Sequence, residues 1–349
     1  MCPGPGRSTF VLYLTLVTMS GLGEYDGHYN NTHRAFLQAL LARQTITLAD
    51  AKPLLASIQT AHTPDRPTLP EDVSQEDFDN YVHTLNDSLS PFDMEMRSTL
   101  HQQTKDRIYA LVNTTSDALT QMSTSFKAEE IAFVKRVLDA MFETYNTPRA
   151  EIMAITGMQA LKLAKAPAEE LRREAEGTQQ ATQPVNTSIR MADAENILSL
   201  LVDEGWFELS QRGFYSLSPR ALMELRGWLI ETYNDQAAQP EDSDEEEEGA
   251  QVKIKFCAAC RDIVTVGQRC PNLQCNARVH NHCVRTLFRA QGGREECPAC
   301  KTAWQDPLPV GEHAARQSGG AGSRRTTGGS SIGGGGRDDS SLTNEAEDI

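Results

Sequence analysis

Beyond residue 30, apolar positions recur every three to four residues in some stretches and every second residue in others, a contrast that separates helices from strands. Phe36, Leu37, Leu40 and Leu41 stripe a first helix with Thr32 as its expected N-cap. Residues 45–48 (TITL) read as a strand, Ala51, Leu54 and Leu55 mark one side of a second helix, and residues 63–70 form a proline-containing loop. Phe78, Tyr81, Val82 and Leu85 define a third helix over 74–88. Met94 and Met96 then alternate with charged residues, and residues 108–112 (IYALV) add a second run of β-formers, so the pair predicts a hairpin.

Three helices closed by a two-stranded hairpin outline a winged-helix domain, placed over 24–120. The outline recurs over 121–234. Ile131, Val134, Val137, Leu138 and Met141 stripe one helix, residues 148–165 supply another, and 166–183 are a helical extension or a loop. A third helix, 191–204, ends at Gly205 in a C-capping position, and the runs WFEL and FYSL around QRG predict a second hairpin. Ser218 and Pro219 then open a last helix that buries Leu222, Leu225 and Leu229. The fold class is mainly α with small β hairpins. The helix before the second hairpin carries Asp193, Glu195, Asp203 and Glu204, whereas reading the major groove needs donors such as arginine or asparagine, so protein docking is favoured over DNA contact. Trp206, Phe207, Phe214 and Tyr215 read as core or interface rather than as a base-stacking platform.

The densest chemistry lies downstream, where seven of the chain's eight cysteines fall between Cys257 and Cys300. Cys257 and Cys260 form a CxxC pair, Cys270 and Cys275 follow, His280 stands two residues before Cys283, and Cys297 and Cys300 close the series as CPAC. Zinc takes four thiolate or imidazole ligands at about 2.0–2.3 Å, and two intervening residues make a turn that presents both donors to one metal. Eight donors fill two closed sites, which assigns the metal to folding rather than hydrolysis. A disulfide framework is the competing reading of the same cysteines. His282 is a second histidine in HNHC, but only His280 leaves the two-residue gap. His282 is expected to face solvent or to make a supporting hydrogen bond.

Length and 39% hydrophobic content allow two or three domains with real cores, and a net charge of −15 argues against a surface that holds nucleic acid along the whole chain. Residues 1–23 form an N-terminal extension. Arg7, the run FVLYLTLVTM and the small residues after it resemble a signal peptide, which conflicts with reduced zinc-binding thiols; the alternatives are a start at Met19 or a core or partner-binding strand. The acidic stretch 235–250 reads as a disordered linker that decouples the zinc module from the helical body. The zinc module, 251–308, is rich in basic side chains, among them Lys255, Arg269 and Arg278, and residues 309–349 read as a flexible tail.

Seven cysteines with histidine fifth resemble variant RING fingers and PHD fingers. Pro298 inside the last pair and Lys301 after it favour the RING, and Glu295 stands where PHD fingers carry tryptophan. In such cross-braced folds the first and third pairs share a metal, which implies Cys257, Cys260, His280 and Cys283 at one zinc and Cys270, Cys275, Cys297 and Cys300 at the other. Two winged helices, an acidic linker and a C-terminal variant RING together resemble the non-SMC element one proteins of the Smc five/six complex, over roughly residues 24–308. That resemblance implies a nuclear, chromosome-associated subunit acting in DNA repair and recombination. It also implies a MAGE-type partner, a kleisin, and RING-type ubiquitin-protein ligase activity dependent on the partner. Ubiquitin and its conjugating enzyme would then meet Ala258, Ile263, Leu287, Phe288, Pro298 and Lys301, with Ala258 smaller than the aliphatic residue strong ligases place there. The alternatives are a non-catalytic assembly subunit and a PHD-like chromatin reader. No membrane partner is implied.

Overall fold

The computed structural model describes residues 29–115, 126–167, 187–234 and 252–319. The N-terminal extension, the acidic linker, all of the 166–183 stretch beyond 167 and the tail beyond 319 lie outside the described residues. Among the described residues no helix is long and apolar enough to cross a membrane.

The first unit runs α1 (Asn31–Arg43), β1 (Thr45–Thr47), α2 (Leu48–His62), α3 (Gln75–Leu89), β2 (Met94–Leu100) and β3 (Arg107–Asn113), with sheet order β1-β3-β2. Asn30 rather than Thr32 caps α1: its Oδ1 accepts from the Thr32 amide at 2.9 Å and from the Thr32 hydroxyl at 2.6 Å. Thr32 is instead buried, and its hydroxyl accepts from Tyr81 Oη. The register Met96↔Leu111 and Ile46↔Tyr109 turns these four residues toward Phe36, Leu40, Leu55, Phe78 and Leu85, a separate core. Phe78 meets Phe36 and Tyr109 edge-on, at 6.1 and 4.7 Å between ring centroids.

The second unit repeats the order with α4 (Ala128–Asp139), β4 (Ile155–Thr156), α5 (Gly157–Lys162), α6 (Met191–Asp203), β5 (Phe207–Leu209) and β6 (Phe214–Leu217), in sheet order β4-β6-β5. Gly205 ends α6 at φ +70°, with its amide on the Val202 carbonyl and the Trp206 amide on that of Leu201. The expected helix over 148–165 shrinks to α5. Glu151 and three consecutive residues, Met153, Ala154 and Ile155, are all buried, a pattern no single helical face can supply. The expected last helix also divides, at Leu225, into α7 (Pro219–Glu224) and α8 (Arg226–Asn234). The Ser218 hydroxyl caps α7 as expected, accepting from the Ala221 amide at 3.1 Å.

The C-terminal module contains β7 (Gly267–Arg269), β8 (Arg278–Val279), α9 (Val284–Ala290), β9 (Leu308–Val310) and α10 (Ala314–Gly319), in sheet order β8-β7-β9. Its fold therefore passes the expected boundary at 308, because β9 completes the sheet. Nor is the module decoupled. One hydrophobic core runs from Phe126 to Val310 through the second winged helix and the zinc module. The Asn234 side chain, just before the acidic stretch, bonds the Ile254 amide and carbonyl at 2.9 and 3.0 Å just after it, which ties the last helix of the second unit directly to the zinc module.

Candidate metal centre

Each CxxC pair sits in a knuckle. The Cys257 amide donates to the Asp262 carbonyl and the Cys297 amide to that of Thr302, both at 2.8 Å, and the residue after each pair, Arg261 or Lys301, takes a positive φ of 68° or 62°. The two knuckles bring eight donors into two sets, Cys257, Cys260, His280, Cys283 and Cys270, Cys275, Cys297, Cys300, with the donor atoms of each set within 4.8 Å of one another.

The spacing fits zinc. Cys260 Sγ lies 3.2 Å from His280 Nδ1, Cys270 Sγ 3.5 Å from Cys300 Sγ, and Cys275 Sγ 3.6 Å from Cys297 Sγ. Four sulfurs bound at about 2.3 Å to one tetrahedral centre stand about 3.8 Å apart, whereas a disulfide brings sulfurs to about 2.05 Å. Burial pushes the Cys270, Cys275 and Cys283 thiols up, Cys283 to about 11, while the Thr302 hydroxyl holds Cys300 down at about 6. A dication at the centre offsets the cost of gathering thiolates. Both sets are complete with four donors and suit two structural zinc ions.

His280 presents Nδ1 to its cluster and Nε2 to the Ile263 carbonyl at 3.1 Å, which fixes the imidazole as an Nδ1 ligand. His282 stands outside both sets. Its ring is half-buried and stacked on His280, with centroids 5.0 Å apart and planes 7° apart.

Three of the zinc module's basic side chains, Lys255, Arg269 and Arg278, are buried. Glu151, from the second winged helix, takes Arg278 Nε at 2.6 Å on one oxygen and Arg278 Nη2 and Lys255 Nζ at 2.5 Å on the other, with Arg269 at 3.4 Å. Desolvation alone would raise the Glu151 carboxyl, but Arg278 and Lys255 outweigh it and hold the group below the usual carboxylate range. Burial lowers Lys255 and Arg269. Three cations around one anion leave two positive charges; a zinc ion among four thiolates leaves two negative charges. The two are adjacent, since Arg278 Nη1 donates to the Cys275 carbonyl at 2.7 Å and Arg269 precedes Cys270. Glu151 was not legible as a site residue. Its only signal is a lone carboxylate in the apolar run 150–156.

The expected conjugating-enzyme contacts divide. Ile263 is 2% exposed and Leu287 9%, so neither offers a free side chain: the segment carrying Ile263 is covered by the turn of the first winged helix, and Leu287 faces the core. Ala258, Phe288 and Pro298 are half-buried, and Lys301 is exposed with Nζ on the Pro298 carbonyl at 3.1 Å.

The family model for the Nse1 non-SMC component of the SMC5-6 complex matches residues 33–225, and the RING-like domain model matches 257–300. Proteins named non-structural maintenance of chromosomes element 1 homolog from Bos taurus and Homo sapiens are each 22% identical to the chain over 291 residues, covering 83% of it and 90% of theirs. The element 1 protein of Schizosaccharomyces pombe is 20% identical over 233 residues, 67% of this chain and 79% of its own. Among solved structures, a chain of the Nse1-Nse3-Nse4 complex superposes with a TM-score of 0.57 at 22% identity, over 80% of this chain and 98% of that one. With its family model covering more than half of the sequence, the two winged helices in place and two four-donor sets in the RING-like region, the chain belongs to the Nse1 family of non-SMC components of the SMC5-6 complex.

Proposed function

We propose that the chain is a subunit of an SMC5-6 chromosome-maintenance complex in the nucleus, paired with a MAGE-type subunit and a kleisin, where its zinc module promotes ubiquitin transfer in DNA repair. Family membership and the likeness to a chain of the Nse1-Nse3-Nse4 complex support the assembly. The observation that carries the transfer reading is the division of eight donors between two closed sets. With no coordination position left for water, the metals hold a surface and perform no chemistry on substrate.

On that surface Ala258, Phe288 and Pro298 would grip a ubiquitin-conjugating enzyme, with Lys301 at the ubiquitin side. A substrate lysine amine attacks the thioester carbonyl, the isopeptide bond forms, and the conjugating enzyme's thiol leaves. The module contributes orientation, an effect of proximity rather than of a nucleophile. The test is single-turnover discharge of a ubiquitin-loaded conjugating enzyme by the full chain, alone and with its MAGE-type partner, for wild type and Pro298→Ala. Partner-dependent acceleration that the variant loses with both zinc ions retained supports the reading. No acceleration in any pairing, with zinc bound and the complex assembled, sinks it.

A second reading, an assembly subunit without catalysis, is favoured by the burial of Ile263 and by the engagement of Lys301 with its own loop. A chromatin-reading role has less support: Phe256 lies under the Arg226 guanidinium and Phe288 edge-on to Trp304, so these aromatics are already partnered.

A further inference from the structure

The turn between β2 and β3 reaches out of the first winged helix into the zinc module. Gln102 Nε2 donates to the Ile263 carbonyl at 2.9 Å, and its Oε1 accepts from the Thr265 and Val266 amides at 3.0 and 2.8 Å. The Ile263 carbonyl is the same oxygen that accepts from Nε2 of the zinc ligand His280. The His282 ring stacks on His280 on the same side, with planes 7° apart.

The turn is built to deliver that side chain. His101 Nδ1 accepts from the Gln103 and Thr104 amides, each at 3.2 Å, and its Nε2 bonds Glu208 of β5 at 3.0 Å. The Lys105 amide closes the turn on the His101 carbonyl at 2.9 Å. A held backbone presents Gln102 at small further entropic cost. Only a long primary amide serves all three groups, because it must donate to a carbonyl and accept from two amides.

We propose that Gln102 is the positioning residue through which the first winged helix sets the geometry of the Cys257–Cys260–His280–Cys283 site and of the surface that site supports. The orientation of His280 depends on a carbonyl that Gln102 holds in place, so displacement of the first winged helix is transmitted to this zinc site and not to the other. The consequence for ubiquitin transfer rests on the function proposed above; the consequence for the metal site does not.

The test uses the full chain with cadmium-113 replacing zinc, as wild type, Gln102→Ala, Gln102→Glu, and Arg226→Ala as a control. Arg226 bonds the Arg261 carbonyl and Asp262 from α8, so it ties the same loop to the body without touching the His280 carbonyl partner. Gln102→Glu keeps the acceptor for Thr265 and Val266 and loses the donor to Ile263. Both Gln102 variants should move the resonance of the three-cysteine, one-histidine site and leave the four-cysteine resonance in place, while the control, which loosens the Cys257–Cys260 knuckle but keeps the Ile263 carbonyl on His280, should move the first resonance less and the second not at all. Amide exchange at Thr265 and Val266 should quicken about tenfold in Gln102→Ala and much less in Gln102→Glu. In a zinc-loaded sample, discharge should fall about tenfold in both Gln102 variants with both metals retained. Unmoved resonances, or equal movement of both sites, overturn the proposal. Wild type without discharge removes the ligase reading and leaves the resonances to decide the positioning role.

Discussion

Glu151→Gln is the substitution with the largest expected effect outside the zinc ligands. The side chain keeps its volume but loses the charge that faces Arg278 on both oxygens and Lys255 on one. Those cations are buried with it, Arg278 and Glu151 at 0% exposure, so water cannot replace the carboxylate. Removing one partner of a buried ion pair costs about 3–5 kcal/mol, against a whole-domain stability of about 5–15 kcal/mol. Lys255, already lowered by burial, can release its proton, which keeps the loss within that range instead of compounding it for each cation. Because the folded-state carboxyl sits below its ordinary value, its contribution is complete above the unfolded carboxylate pKa and is lost as pH falls through the lowered one. The assay is urea unfolding of the zinc-loaded chain at pH 7, comparing midpoints at constant slope. Glu151→Gln with Lys255→Met should cost less than the two single changes added together, since the groups touch. A Glu151→Gln unfolding free energy within about 1 kcal/mol of wild type, with zinc retained, would mean that the carboxylate is not what holds the buried cations.

Gly267→Ala should loosen the first zinc site, because a Cβ there would meet the Val279 carbonyl at 2.5 Å and the His280 Cα at 3.2 Å. We expect a loss of about 1–3 kcal/mol and faster zinc release to a chelator. Removing zinc should unfold the C-terminal module and weaken the second winged helix, which shares its core, while the separate core around Phe36, Phe78 and Leu85 keeps its exchange protection. Uniform protection loss across both units would contradict this. His101 is raised above the ordinary imidazole value, chiefly by its hydrogen bond to Glu208. Protonation strengthens the pair with Glu208, a contribution present at acid pH that fades as pH rises through the raised value, but it takes Nδ1 away from the Gln103 and Thr104 amides, whose bonds to the ring are held only above that value; each effect is under about 1 kcal/mol at this partly exposed pair. His101→Gln should flatten that pH dependence, read as amide exchange around residue 102.

The winged-helix order could be read from the chain because each element follows one period: Phe78, Tyr81, Val82 and Leu85 for a helix, and Met94 and Met96 for a strand. The eight zinc donors were legible because two-residue gaps constrain geometry locally. What escaped depends on contacts distant in sequence. Residues 148–154 leave the helical period, and within them Glu151 reaches Lys255 and Arg278. The burial of Arg269 and Arg278 was not legible because their counter-charge, Glu151, lies more than a hundred residues upstream. The Ile263 carbonyl is bonded by Gln102, 161 residues away in the chain, a contact no local pattern announces. The acidic stretch suggested separation by its composition, yet the Asn234 side chain ties the last helix of the second unit directly to the zinc module.

Two closed and cross-braced zinc sites can be counted by native mass spectrometry of two double variants. Cys260→Ala with His280→Ala removes donors from one set, and Cys260→Ala with Cys270→Ala removes one from each. The structure predicts two zinc ions in wild type, one in the first double variant and none in the second. None in the first and one in the second would mean that donors pair in sequence order, and would contradict the cross-braced arrangement.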